Sequence, residues 1–254
     1  MLPLERRSLI LEKLHEEKSV VVSELSKEFE VSEETIRRDL EKLSEEGQAV
    51  KSYGGAVLNE KSSIDLPFNI RQKANPEGKQ SIGELANEQI SDGDHILLDA
   101  STTSVFIAKN IKQKDQLTVI TNSIENLLEL SDVPGYDIIS TGGVLRAGTM
   151  SLLGRRAAEG IGNYTVDKVF ISCKAVDIDR GVTDGNDDVA SIKQDMLAAG
   201  GKVYLAVDST KFDKVAFARI CPLSRVDVVI TDRKPPEKWI KALEELHIEC
   251  IYKK

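Results

Sequence analysis

The sequence predicts an α/β protein in two parts, a small helical domain closed by a hairpin and then an open, mostly parallel sheet, on three observations. Within residues 1–56 the apolar residues recur at helical spacing. Tyr53–Gly54–Gly55 interrupts a short alternating run, as a hairpin turn would. Beyond residue 79, strand-like runs alternate with helical stretches, which is how a parallel sheet covered by helices on both faces reads.

In the first part, Leu4, Leu9, Ile10 and Leu14 mark one helix, Val22, Leu25 and Phe29 a second, and Ile36, Leu40 and Leu43 a third. The second and third are separated by "EVSEE", in which Ser32 has the chemistry of an N-cap and Val31 that of a buried turn residue. Gly47 ends the third helix, and "QAVKSYGGAV" supplies the hairpin. Three helices and a hairpin make a winged helix-turn-helix, assigned to residues 1–56. Residues 57–78 hold Pro67, Pro76 and polar clusters and are assigned as a linker, with the sheet domain at 79–254.

Composition narrows the function. The chain has 254 residues, enough to bury two cores without covalent staples. Its apolar runs are strand-sized, far short of the roughly 20 residues of a membrane span, and Met1–Leu14 is charged throughout, so a soluble cytoplasmic protein is expected. Cys173, Cys221 and Cys250 are widely spaced and only His15, His95 and His247 accompany them, which predicts neither a disulfide framework nor a metal site. A net charge of -8 opposes generic polyanion binding. Any nucleic-acid contact therefore needs a local basic surface.

The second domain contains the runs "HILLD", "LTVIT", "YDIIS", "KVFIS", "KVYLAV", "VDVVIT" and "IECIY", with helical stretches around 80–90, 103–111, 123–131, 188–199 and 236–246. Ligands of open parallel sheets bind beyond the carboxyl ends of the strands. There the sequence places Asp99 with Ser101, Thr102, Thr103 and Ser104, then Thr121–Asn122–Ser123, Thr141–Gly142–Gly143, Cys173–Lys174 and Asp208–Ser209–Thr210–Lys211. Small hydroxyl residues, a glycine pair and two lysines on one rim suit a small polyhydroxylated anion. Taken alone, Ser101–Thr103 fits a helix cap as well as a phosphate cradle. Convergence with Lys211 and Gly142–Gly143 favours the cradle. Neither G-x-x-x-x-G-K-[ST] nor G-x-G-x-x-G is present, so nucleotide hydrolysis and dinucleotide binding lose their usual signatures, and no cofactor is expected. Asp177, Asp179, Asp184, Asp187 and Asp188 form an acidic patch read mostly as solvated turn residues, and Lys174 and Lys193 read equally as surface charges.

Ser32–Leu43, followed by Tyr53–Ala56, "LPFNIR", "LLDASTT", "ITNS", "TGG" and "VDSTK" in that order, closely resembles the DeoR family of bacterial transcription regulators over essentially the whole chain. The resemblance implies a winged helix joined to a sensor domain similar to ribose phosphate isomerase, which senses phosphorylated sugars or related metabolites. It implies a phosphate loop of Asp99, Ser101, Thr102 and Thr103, with Asn122, Gly143, Lys193 and Lys211 around the ligand; Lys174 joins them by its place on the rim. Ser101 stands where many members have glycine, and Ser191 where many have a carboxylate, which weakens isomerase chemistry. The expectation is a non-enzymatic repressor of a sugar-metabolism operon, forming a homo-oligomer on double-stranded operator DNA; a sugar-phosphate isomerase or deaminase with an accessory helical domain is the alternative.

"SEETIRRDLEKL", Ser32–Leu43, carries the DNA question, because residues 1–56 hold 9 Lys and Arg against 13 Asp and Glu. On a helix, Ile36, Leu40 and Leu43 share the core face and Arg38 points away from it. Ser32, Thr35, Arg37 and Arg38 occupy the end that enters a major groove, with Lys51 and Tyr53 on the wing, while Glu41 and Glu45 lie at the end that leaves it.

Overall fold

The computed structural model describes residues 1–45, 47–59 and 67–253, with the side chains of Leu4, His15 and Glu16 outside the description. It divides into two compact units, Met1–Ile70 and Arg71–Lys254.

The first unit begins with α1 (Pro3–Glu17), where Pro3 occupies a first-turn position that needs no amide donor. Lys18, with φ 66, ends it. There follow β1 (Ser19–Val21), α2 (Val22–Glu28), α3 (Glu33–Glu45), β2 (Ala49–Ser52) and β3 (Gly55–Leu58). The three strands are antiparallel in the order β1-β3-β2. β1 is an addition to the expected hairpin; its pairing needs glycine at 55, where a Cβ would stand 2.0 Å from the Val20 carbonyl oxygen. Ile10, Leu14, Leu25, Ile36, Leu40 and Leu43 fill the core on the spacing that the sequence shows. Burial of such side chains contributes about 1.5–3 kcal/mol each.

One charged residue of α3 also turns inward. Asp39 is buried and pairs with buried Arg6 of α1, Nε to Oδ2 at 2.5 Å, so α1 and α3 are tied by an ion pair beside the apolar contacts.

Where the irregular stretch 57–78 was expected, the structure has two helices, α4 (Phe68–Lys73) and α5 (Pro76–Glu88). Residues 60–66 of that stretch lie outside the described residues. The turn between the helices forms because Asn75, at φ 48, caps α5 with its side chain and precedes Pro76.

The second unit continues with β4 (His95–Leu98), α6 (Thr102–Ile111), β5 (Thr118–Thr121), α7 (Ile124–Leu130), β6 (Asp137–Ser140), β7 (Val144–Arg146), β8 (Ser151–Leu153), α8 (Arg155–Gly162) and β9 (Val166–Ile171). It closes with β10 (Ala175–Asp177), β11 (Gly181–Asp184), α9 (Asp187–Ala199), β12 (Gly200–Ala206), β13 (Ala218–Cys221), β14 (Val228–Thr231), α10 (Glu237–Glu245) and β15 (Glu249–Tyr252). The seven expected strands form one sheet, order β15-β14-β12-β9-β4-β5-β6, with every pairing parallel. Its two faces are buried by alternate residues: Leu97, Val169, Ile171, Val203 and Leu205 on one, Ile96, Leu98, Phe170, Tyr204 and Ile230 on the other. That is why these runs read as continuously apolar. The hairpin β7-β8 and the antiparallel sheet β10-β11-β13 are additions at the rim.

The chain winds outward from β4 through β5 to β6, then returns to lay β9 on the other side of β4 and winds outward again. The strand order therefore reverses between β4 and β9. Their carboxyl ends flank the crevice where such sheets hold ligands.

Candidate functional site

At this reversal Asp99 follows β4 and is fully buried. Its Oδ1 accepts from the Ser101 amide at 3.0 Å and its Oδ2 from the Ser172 amide, beyond β9, at 2.9 Å. Lys193 of α9 places its ammonium 3.3 Å from the same Oδ2, 2.7 Å from Asp184 Oδ2 and 2.8 Å from the Ser172 carbonyl oxygen. Three acceptors use the three protons of the ammonium. Burial opposes the charge on both partners; the facing carboxylates nevertheless hold the Lys193 pKa well above the usual lysine range, and Lys193 holds the Asp184 carboxyl below its own.

This geometry corrects several expectations. Lys193 is neither a surface charge nor open to a ligand, and Asp99 has its carboxylate spent on protein donors; both position the loop. Asp184 leaves the solvated patch for the same buried cluster, while Asp177 accepts from the amides of Asp179 and Arg180, as a turn residue does. Gly143 is required by packing whatever it does for a ligand: at φ +114, a Cβ would stand 2.6 Å from the Leu153 carbonyl oxygen. Asn122 donates its Nδ2 to the Leu152 carbonyl at 3.1 Å, and its buried Oδ1 has no partner among the described residues.

What remains facing the crevice is the start of α6. Ser101 caps it, its Oγ accepting from the Ser104 amide at 3.0 Å. Thr102 and Thr103 follow, both buried, with hydroxyls lacking a partner among the described residues. Their amides are the first two of the helix and have no intrahelical acceptor. Asn126, which the sequence reading passed over, braces this turn from below, its Nδ2 donating to the Asp99 carbonyl and Ser104 Oγ at 3.0 Å. Its place three residues after the N-cap Ser123 was the available signal.

Lys211 arrives on the short 3-10 turn Ser209–Lys211 after β12. It is half-buried and has neither hydrogen bond nor salt bridge from its ammonium among the described residues. Its charge lies near Asp208, Lys79 and Cys173. Burial pushes the Cys173 thiol up to about 12, which makes it inert. Lys174 is half-buried on the same edge, its amide bonded to the Thr183 carbonyl oxygen at 3.2 Å.

Two cations that the sequence reading left without a role complete the cluster. Arg71, from the "LPFNIR" stretch, acts electrostatically on Asp184 and on Lys79. Lys79 of α5 is 4% exposed, and burial pushes its pKa down to about 8 against the attraction of Asp208. Arg71, Lys79, Lys193 and Lys211 thus stand against Asp99, Asp184 and Asp208, leaving an excess of positive charge in a cluster that reaches the turn before α6 through Asp99. Such a surface attracts an anion.

In the first unit, Ser32 caps α3, its Oγ accepting from the Thr35 amide at 3.2 Å and sharing a hydrogen bond with Thr35 Oγ1 at 2.9 Å. Arg37 and Arg38 are exposed and lean on carboxylates one turn back, Glu33 at 2.6 Å and Glu34 at 3.7 Å. Lys51 of β2 meets Glu41 at 2.5 Å, and Tyr53 stands fully exposed in the turn of the wing. With Asp39 turned into the core, the acidic residues near these cations are the two helix-start glutamates and Glu41. Exposed pairs of this kind are worth ~1 kcal/mol or less.

Comparison with known proteins agrees with both halves. The DeoR-like helix-turn-helix domain model matches residues 6–62 and the DeoR C terminal sensor domain model residues 74–233. The chain is 39% identical to the uncharacterized HTH-type transcriptional regulator YulB of Bacillus subtilis, covering 98% of this chain and 96% of that one. It is 31% identical to the putative aga operon transcriptional repressor of Escherichia coli O157:H7, over 97% and 93%. Among solved structures, ribose 5-phosphate isomerase A of Methanocaldococcus jannaschii aligns over 55% of each chain with 14% identity and a TM-score of 0.41, too distant to carry a functional reading. The full-length matches are to regulators and not to enzymes, and no described helix is long and apolar enough to cross a membrane. A winged helix with a basic helix face, a parallel-sheet domain with an electropositive crevice, and family matches to each identify the chain as a DNA-binding transcription regulator of the DeoR family.

Proposed function

We propose that the second unit holds a phosphorylated sugar or related metabolite by its phosphate at Thr102, Thr103 and Lys211, and that occupancy changes affinity for an operator controlling sugar metabolism. The carrying observation is the start of α6, whose first amides and threonine hydroxyls have no acceptor or donor among the described residues, in a charge cluster where the Lys211 ammonium makes no direct ion pair. Asn122, whose Oδ1 lacks a donor, suits a sugar hydroxyl. The name of the aga operon relative supports repression as the sign. Ser32, Thr35, Arg37, Arg38, Lys51 and Tyr53 meet the DNA, and a homo-oligomer assembled through the second unit presents two such helices to a palindromic site.

A thermal-shift panel of phosphorylated sugars tests the sensing half. A ligand at 100 times its dissociation constant adds about 2.7 kcal/mol, or roughly 5–10 °C for a domain of this size. Lys211→Ala removes that shift. A panel without any shift, or a shift that survives Lys211→Ala, rejects this site. Light scattering that finds only monomer at micromolar concentration rejects the oligomer.

A further inference from the structure

The boundary between the two units falls inside one helix. Phe68–Ile70 of α4 belong to the first unit, and Arg71 onward to the second. The last carbonyl groups of a helix have no intrahelical donor and need one from elsewhere. Lys79 supplies it, its ammonium donating to the carbonyl oxygens of Arg71 and Ala74. The third ammonium proton has no acceptor among the described residues, and the surrounding charges are Asp208, which attracts it, and Lys211 and Arg71, which repel it. Arg71 in turn lies in the field of Asp184, which Lys193 holds against Asp99. The final turn of α4 is therefore held by its carbonyl through Lys79 and by its side chain through the charge cluster of the crevice.

We propose that Lys79 is the positioning residue through which an anion in the crevice is read out at α4. The inference rests on the effector reading above. A phosphate that takes up the charge of Lys211 removes a repulsion acting on Lys79. The Lys79 ammonium then bonds more firmly to the two carbonyls, because charge-assisted bonds strengthen when competing like charge is neutralised. Order spreads along the segment from Arg71 to Lys79, which includes the last turn of α4. A lysine buried in a helix for packing alone has no reason to respond to phosphate.

Hydrogen exchange on the full-length protein, with and without inorganic phosphate, tests this. In the wild type, phosphate slows exchange at the start of α6 and also over residues 71–79, there on the order of five-fold, the low end of ordinary coupling between sites. In Lys79→Met the response at α6 persists and the response at 71–79 is lost; Lys79→Arg restores it. Lys79→Gln, which retains a donor but no charge, gives the same loss should the methionine variant fold poorly. A wild type that responds at α6 but not at 71–79 overturns the inference, as does a neutral variant that keeps both responses. Loss of the α6 response in Lys79→Met also overturns it, because Lys79 is then an anion ligand. A wild type indifferent to phosphate at α6 itself removes the effector reading first, and this inference with it.

Discussion

Replacing Lys193 by methionine isolates what the buried cluster does. The ammonium has acceptors at 2.7, 2.8 and 3.3 Å and almost no exposure, so the variant leaves the carboxylates of Asp99 and Asp184 buried without the cation that contacts both. Breaking a buried pair in this way costs about 3–5 kcal/mol, or roughly 6–20 °C in Tm for a unit of this size. The loss has a pH signature. In the wild type, burial pushes the Asp184 carboxyl up, but Lys193 outweighs it and the net shift is downward; the stabilisation is present above the unfolded carboxyl value and fades as pH falls through the lower folded one. Without Lys193, burial is opposed only by the lesser effects of the Gly185 amide and Arg71, the folded pKa rises, and protonation relieves the penalty. The stability gap between wild type and variant, measured by urea denaturation, should narrow from pH 8 to pH 5. Adding Asp184→Asn should recover at least ~1 kcal/mol of it. A gap below ~1 kcal/mol, or one that neither acid nor Asp184→Asn reduces, refutes the assignment of Lys193 as the internal counter-ion.

Arg38→Ala should weaken operator binding 10- to 100-fold, about 1–3 kcal/mol, in a fluorescence anisotropy titration, while stability stays within ~0.5 kcal/mol because the side chain is exposed; undiminished affinity removes Arg38 from the interface. Gly143→Ala should cost about 1–3 kcal/mol in denaturant unfolding, since φ is +114 and the new Cβ meets the Leu153 carbonyl oxygen at 2.6 Å; a neutral result means that the loop can move off β8. Burial pushes the Lys79 pKa down to about 8 in the folded protein, from the ordinary lysine value of 10.5. Its penalty is full below pH 8 and is relieved above it, so the wild type should gain on Lys79→Met, by ~3 kcal/mol at most, as pH rises from 8 toward 10.5; a difference independent of pH contradicts the depressed value.

The long pattern was legible in the sequence and the short pattern was not. Each strand of the parallel sheet is buried on both faces, so runs such as "HILL" and "VVIT" announce themselves. β7 and β10 are three residues each, too short to show a period, and β7 leaves Val144 and Leu145 exposed. α8 was hidden by its glycines: Gly160 is needed because a Cβ there would lie 2.3 Å from the Thr141 carbonyl oxygen. β1 was hidden because Val20 and Val21 run into Val22, the first residue of α2. The rim residues were found because they follow strands, but their division of labour depends on tertiary geometry. Nothing local distinguishes Lys193, enclosed between two aspartates, from Lys211, whose ammonium makes no hydrogen bond or salt bridge among the described residues. Lys79 was missed because a lysine near a helix start ordinarily points to water, and only the return of α4 over it makes it a donor to backbone.

The reversal of strand order between β4 and β9 also sets a sequence of events in time. β4, β5 and β6 pair with near neighbours along the chain and can zip early. Asp99 receives the Ser172 amide from a residue 73 positions later. Long-range parallel pairings of this kind form slowly, after the loop-closure cost is met. A chain that has folded only through β6 has the threonines of α6 but not the strand, the lysine or the 3-10 turn that finish the crevice. The proposed anion site is therefore complete only once the late pairings have formed, and a half-formed molecule offers an effector no finished crevice.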